Sequence, residues 1–289
     1  MGVGVISVIG RGRIVVWEGA SLWMIEGGGV AADLTPHTHH AIQITFQLEG
    51  SFELGVMDDR LTGPVVAVAS DASHTFKADG GGAVAFLFIE PESPAGRALA
   101  VEWFAHRTST NITAGPLVSC LDDLRVCLHN GASAEGIVEI GRKIIGFLPA
   151  AELPTLPDPR VLAIIEYARK NLENTVTLPG AAAHVNLSPS RARHLFAAQT
   201  GLPFKTYILW RRLELAVALY AGGSSITEAA HNAGFSDSAH FSRTFRRTFG
   251  LPAAALRLQH GNQHKLEGVL PLTDQNSIEP IGTRRETNR

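Results

Sequence analysis

Two periods of apolar residues divide the chain. Through residues 3–90, Val, Ile and Phe fall in short alternating runs, at 42–48, 51–57, 65–69 and 83–89, separated by turns carrying Gly and Asp. That spacing predicts strands, and several short strands in sequence predict a small barrel or sandwich. After Pro91 the period lengthens to that of a helix, at 95–106, 116–130 and 134–148. Pro154-Thr155-Leu156-Pro157-Asp158-Pro159 reads as a stiff linker, poor at continuing either neighbour. From Arg160 the pattern stays helical to about His260, and the tail from Gly261 has no period, as expected of a disordered segment. The expected organisation is a strand-rich unit at 1–92, a helical segment at 93–150, a linker at 151–159, a helical domain at 160–260 and a tail at 261–289. The fold class is α+β in two domains.

Within 178–257 the helical pattern resolves into two helix-turn-helix units on one linker helix. In the first, Ser188 is placed to cap and Pro189 to occupy the first helical position, where its missing N–H costs nothing. Ala192, Leu195 and Phe196 then form one buried stripe, leaving Ser190, Arg191, Arg193 and His194 outward. In the second, Ile226, Ala229 and Ala230 form the stripe, Gly234 offers the left-handed turn, and Ser236 or Asp237 can cap the next helix. Phe241, Phe245 and Phe249 run along one face of that helix, with Ser238, Ala239, Ser242, Arg243, Arg246 and Arg247 around the remainder. The phenylalanines read as core. Arginines repeated at equivalent positions in two units suit base edges and phosphates better than a merely solvated surface. The linker helix, from Phe204 to about Ala221, would be roughly 27 Å long at 1.5 Å per residue. Successive major-groove faces lie roughly 34 Å apart, so one chain could address two grooves. Arg211 and Arg212 on this helix suit either phosphates or carboxylates such as Glu214.

Composition narrows the class. The chain has 289 residues, 45% hydrophobic and 18% charged, which suits two globular domains with their own cores. No run approaches the ~18 consecutive apolar residues of a membrane span. The start, Met1-Gly2-Val3-Gly4-Val5, lacks the layout of a secretory signal, so a cytoplasmic location is expected, with no membrane partner. Cys120 and Cys127 fit core or free thiols of a reducing compartment better than a disulfide or metal site. The net charge of −2 conceals an asymmetry. Residues 1–157 carry 9 Lys and Arg against 17 Asp and Glu, whereas residues 158–260 carry 12 against 6. A basic C-terminal segment on an acidic chain suits attraction to a phosphate backbone.

The segment 178–257 resembles the AraC/XylS family of transcriptional regulators. The likeness rests on Ser188-Pro189-Ser190 with Leu195-Phe196, on Thr200-Gly201-Leu202-Pro203-Phe204 with Tyr207, and on Arg211-Arg212-Leu213 with Ala216. It continues through Ser225-Ile226-Thr227-Glu228-Ala229-Ala230 and Gly234-Phe235-Ser236-Asp237-Ser238, then Phe241-Ser242-Arg243, Phe245-Arg246-Arg247 and Phe249-Gly250. The resemblance implies base readers at Ser190, Arg193 and His194, and at Ser238, Ala239, Ser242 and Arg243. It also implies a cupin-like β-barrel sensor with dimerisation helices ahead of the all-α DNA-binding domain. The implied partners are double-stranded DNA, a small-molecule effector, a second copy of the chain and, for an activator, RNA polymerase. Departures from the family pattern are Ala192 in place of Leu, Ala239 without a hydrogen-bonding group, and Ala253 and Leu256 near the end.

Pro36-His37-Thr38-His39-His40-Ala41-Ile42-Gln43 with Glu49-Gly50 resembles a first cupin motif, and Ala69-Ser70-Asp71-Ala72-Ser73-His74 a second one lacking its usual Pro and Gly. Strand alternation points His37, His39 and Gln43 the same way. With His74 they could hold a divalent metal ion through three imidazoles, although Gln43 stands where a cupin site usually has Glu. The same residues could instead line an effector pocket. A third reading leaves them solvated, because Ile42, Ile44, Phe46 and Leu48 take the apolar face. The expected function is an effector-sensing, DNA-binding regulator and not an enzyme. The alternatives are a metal-dependent cupin enzyme fused to a DNA-binding module, and a regulator that needs no ligand.

Overall fold

The computed structural model describes residues 10–27, 35–79, 81–149, 157–250, 253 and 256–258. The expected tail and most of the Pro-rich linker lie outside the described residues.

The N-terminal half is built on two sheets. A seven-stranded sheet runs in the order β10-β1-β2-β8-β3-β6-β9 and a three-stranded sheet in the order β5-β4-β7. Here β1 is Gly10–Trp17, β2 Ala20–Gly27, β3 Ile42–Glu49, β4 Phe52–Val56 and β5 Asp59–Leu61; β6 is Val65–Val68, β7 His74–Ala78, β8 Ala83–Ile89, β9 Ser109–Ile112 and β10 Leu256–Leu258. Phe76 of β7 packs edge-on against Phe86 of β8 at 5.0 Å, so the two sheets face each other. Every residue of β8 is buried, as expected of a strand covered on both faces.

The other face of the large sheet is covered by α1 (Pro94–Glu102), α2 (Pro116–Asn130) and α3 (Ala134–Gly146). Leu117, Cys120, Leu121, Leu124 and Cys127 of α2 and Ile137 and Ile144 of α3 share a core with Leu22, Met24, Ile42, Ile44 and Phe46. Both cysteines are therefore free and buried, and burial raises their thiol pKa values. The helical spacing at 95–106 ends earlier than expected. The helix stops at Glu102, and 109–112 pairs with β6 as an edge strand. Its Ser109-Thr110-Asn111-Ile112 is too short and polar to show strand alternation clearly.

The C-terminal half comprises α4 (Pro159–Lys170), α5 (Leu178–His184), α6 (Pro189–Thr200), α7 (Phe204–Ala221), α8 (Ile226–Asn232) and α9 (Ser238–Phe249). One core joins α4, α5 and α6 to the start of α7 through Ile164, Ala182, Ala192, Phe196, Phe204 and Tyr207. The second core is not confined to this half. Trp210, Leu213 and Val217 of α7, Phe235, and Phe241, Phe245 and Phe249 of α9 merge with Trp23, Phe86, Phe88 and Leu54 between the sheets. Nor does helix continue to 260. Residues 256–258 form β10, which pairs in parallel with Gly10–Gly12 of β1. No described helix is long and apolar enough to cross a membrane.

Leu124 is fully buried beneath α2, so Leu124→Ala should cost about 2–5 kcal/mol through lost contacts and the cavity left behind. Urea denaturation monitored by circular dichroism would check this. A loss below about 1 kcal/mol would mean that α2 is not packed on the sheet as described.

Candidate functional site

Two surfaces carry the chemistry, and α9 takes part in both. The first is the polar face of the two helix-turn-helix units. Ser188 caps α6 by accepting from the N–H of Arg191 at 3.2 Å, and Asn186 supplies the left-handed turn before it with φ of 54°. Ala192 and Phe196 are fully buried, while Ser190, Arg191, Arg193 and His194 are exposed. In the second unit Ser225 and Glu228 form a reciprocal capping box on α8. Gly234 has φ of 80°, which an L side chain would strain. Asp237, rather than Ser236, caps α9, accepting from the N–H of His240 at 2.6 Å. Ala239, Arg243, Arg246 and Arg247 are exposed, and Ser238 and Ser242 half-buried. All ten expected DNA-facing residues thus reach solvent, four on α6 and six on α9. They form two separate groups carried by the 18-residue α7.

The opposite face of α9 is docked on the N-terminal sheets. Phe245 stacks on Trp23 at 6.3 Å with 14° between the rings. Phe249 lies 4.8 Å from Trp23 and 5.7 Å from Phe88. Behind it, Arg211 of α7 is buried between Glu90, to which it hydrogen-bonds, and Glu214 at 3.0 Å. This resolves Arg211 as a partner of carboxylates. Burial disfavours its charge, but Glu214 and Glu90 hold its pKa well above the usual value, and burial pushes the Glu214 carboxyl up. Arg212 donates to the carbonyls of Leu172 at 3.3 Å and Asn174 at 3.0 Å.

The second surface is an enclosed histidine cluster beneath the end of α9. His37, His39 and His74 are all buried, as is Gln43. The solvated reading of this face is therefore wrong, because the small sheet and the C-terminal helices cover it. His37 and His74 form an antiparallel backbone bridge through two 3.0 Å hydrogen bonds. Each ring also donates from Nδ1 to a backbone carbonyl: His37 to Thr35 at 3.1 Å, His39 to Ala41 at 2.8 Å and His74 to Ala72 at 2.9 Å. A carbonyl can only accept, so each Nδ1 carries the proton and each neutral ring presents its lone pair at Nε2. Burial, followed by repulsion between the rings, lowers His39 to about 4 and His74 to about 2, and burial lowers His37. The ligand atoms of the three lie within 4.8 Å of one another.

Sequence reasoning missed the fourth histidine of this region. His40 is buried, with Nδ1 3.2 Å from Asp71 and Nε2 2.6 Å from Glu92. Burial opposes its charge, but hydrogen bonds to the two carboxylates raise its pKa to about 9. Its ring meets Tyr207 and Trp210 of α7 edge-on at 6.3 Å, so this cation sits on the seam between the halves. Glu90, the half-buried partner of Arg211, was missed for the same reason: nothing local in the sequence distinguishes either residue from a surface group.

Comparison with known proteins supports the class that these two units define. The sequence profile of the helix-turn-helix domain family matches residues 181–259. That segment is a helix-turn-helix domain of the AraC type, and the chain's relatives are transcriptional regulators. The transcriptional activator RhrA of Rhizobium meliloti is 34% identical over 105 residues, 35% of this chain and 33% of RhrA. The chain thus spans about a third of the length of RhrA. The transcriptional activator NphR of Rhodococcus sp. is 26% identical over 262 residues, covering 89% of this chain and 68% of NphR. Among solved structures, ToxT from Vibrio cholerae O395 superposes with a TM-score of 0.52 at 11% identity, over 81% of this chain and 95% of ToxT. A ToxT complex with a methylnaphthyl-butenoic acid gives the same TM-score of 0.52. At such identity the likeness establishes the architecture alone, a β-sheet domain followed by a helical helix-turn-helix domain.

Arg211→Ala should cost about 2–4 kcal/mol, because it leaves the half-buried carboxyls of Glu90 and Glu214 without their cation. Urea unfolding would measure it. A loss under about 1 kcal/mol would show that these groups are hydrated and that the seam is open in solution.

Proposed function

We propose that the chain is a sequence-specific, DNA-binding transcriptional regulator, cytoplasmic in location, whose N-terminal half senses a signal. One observation carries this reading. Two independently capped helices, α6 and α9, each turn an apolar face inward and an arginine-bearing polar face to solvent. Ser190, Arg193 and His194 on the first helix and Ser238, Ala239, Ser242 and Arg243 on the second are positioned to meet base edges. Arg191, Arg246 and Arg247 are suited to flanking phosphates. The 18 residues of α7 span roughly 27 Å, close enough to one helical turn of DNA for the units to enter successive major grooves with modest bending.

The N-terminal half is a cupin-like barrel in this reading. Its signal site is the enclosed group of His37, His39, Gln43 and His74. The covalent path and packed seam to α9 let occupancy of that site bias how the recognition helices are held, which requires only different affinity for two arrangements. Val126 on α2 and Phe147 at the end of α3 remain exposed on the helical layer. They mark the face through which two copies pair, giving a homodimer that reads two sites. An activator of this design also contacts RNA polymerase.

The test is selection of bound sequences from a random DNA pool, followed by gel-shift titration. Arg193→Ala and Arg243→Ala should each weaken the selected site by about 1–3 kcal/mol and relax preference at one position. Arg246→Ala and Arg247→Ala should weaken all sequences alike and reduce the salt slope by about 1 each. Failure to enrich any sequence, with the fold intact, would overturn the reading.

A further inference from the structure

The sensing half of the proposed function leaves the nature of the signal open, and the geometry of the histidine cluster narrows it. We infer that His37, His39 and His74 bind one divalent transition-metal ion through their Nε2 atoms. We further infer that this ion is the signal transmitted to α9. Metal binding stands on the histidines alone; transmission to DNA rests on the regulator reading.

Two observations converge. First, all three imidazoles are held in one tautomer by backbone carbonyls, the outer-shell arrangement that orients metal-bound histidines. Second, the inward lone pairs lack donors. His74 Nε2 is buried with no hydrogen-bond partner. His39 Nε2 faces Gln43 Oε1 at 2.9 Å, while the Gln43 amide nitrogen is engaged by Thr45 Oγ1 at 2.9 Å. Two acceptors in contact are repulsive unless a cation joins them. Turning the amide would give His39 a donor and still leave His74 without one. A buried polar atom without a partner is destabilising, so the unpartnered His74 Nε2 beside the inward lone pair of His39 favours a compensating ligand.

The donor set selects the ion. Three imidazoles with an amide oxygen as the available fourth group suit zinc-class cations and not Mg²⁺ or Ca²⁺, which prefer several oxygen donors. Nitrogens sharing one tetrahedral ion at bonds of ~2.0–2.1 Å would lie roughly 3.3 Å apart, against the present limit of 4.8 Å. Loading therefore draws the rings together.

Transmission follows from what covers the cluster. The left-handed Gly250 that ends α9 lies directly on His37: a Cβ there would stand 2.9 Å from His37 Nδ1 and 3.4 Å from the Thr35 carbonyl. Phe249 lies 6.2 Å from the His39 ring. Tightening the triad fixes the segment on which the end of α9 rests, and so strengthens docking of the second recognition helix.

The test uses the full chain stripped with a chelator. Co²⁺ should bind with one-to-one stoichiometry and give the visible absorption of an imidazole-bound ion. Zn²⁺ should displace it, and Mg²⁺ should not. His74→Ala should weaken Co²⁺ binding by more than the roughly 10–100-fold typical of losing an outer-shell partner. Gln43→Glu, nearly the same shape with a charge added, should tighten it, with circular dichroism to check that the fold is kept. Zn²⁺ should also shift the fluorescence of Trp23 and Trp210, protect residues 245–250 from hydrogen exchange, and move affinity for a selected DNA site about 5–150-fold. Absence of a stoichiometric Co²⁺ spectrum, or Gln43→Glu without tightening, would overturn the metal site. A normal spectrum with unchanged exchange at 245–250 and unchanged DNA affinity would overturn the signal role, with the regulator intact. Failure to bind any DNA in either metal state would sink the regulator reading and leave the metal site standing.

Discussion

The structure depends on one shared apolar stripe. A 12-residue helix such as α9 is marginal alone, and holds its polar face outward only because its other side is covered. Phe241 finds its cover within the unit, edge-on to Phe235 at 5.5 Å. Phe245 and Phe249 find theirs on Trp23 and Phe88, more than 150 residues earlier in the chain. Fully burying an aromatic side chain stabilises by about 1.5–3 kcal/mol, so separating the halves would expose a sizeable part of the core of the second unit. Placement of the recognition helix and docking of the two halves are thus a single equilibrium. The first unit has its own closed core, and nothing in the N-terminal half is needed to complete it.

Buried charges give that seam its register. Apolar contact tolerates sliding, whereas the ion pair of Arg211 on α7 with Glu90, just after β8, is made in only one alignment. Such groups add little net stability, because desolvation consumes most of the attraction, but a misaligned dock would strand them at a cost of several kcal/mol. The ring of His40 against Tyr207 and Trp210 couples the segment carrying His37 and His39 directly to α7. The cluster is therefore tied to the DNA-binding half at two points, one through α7 and one through Gly250.

What could be read in the sequence follows the range of the interactions. The caps at Ser188 and Ser225, the turn at Gly234 and the stripe through Ala192 and Phe196 are set by neighbours within a few residues, and each is found where its spacing places it. The helix at Pro116–Asn130 was equally legible, since Gly115 and Gly131 bracket its apolar periodicity. Edge strands β9 and β10 were not: both are four residues or fewer, and pairing with a distant partner creates them. His37, His39, Gln43 and His74 could be grouped from alternation and motif, but their burial could not. The strand pattern at Ile42, Ile44 and Phe46 shows one covered face; the cover on the other comes from Phe76 of the small sheet and Phe249 of α9. Glu90 and His40 had no local signal at all.

The size of the enclosed site bears on how a signal could act. An organic effector of ordinary volume could not enter the crevice between Trp23 and Phe249 without parting those rings, because that crevice is of water size. Its binding would then oppose docking of α9, and its affinity would be reduced by the cost of opening the aromatic seam. An ion held by the three histidines would need neither ring displaced and would fix His37, on which Gly250 rests, so it would favour docking. The two kinds of signal would therefore drive the same equilibrium in opposite directions. An ion would satisfy the enclosed lone pairs of His39 and His74 with the seam closed; an opened seam would admit water to them and forfeit the burial of two phenylalanines. On these terms the closed arrangement is the natural partner of a metal-loaded cluster.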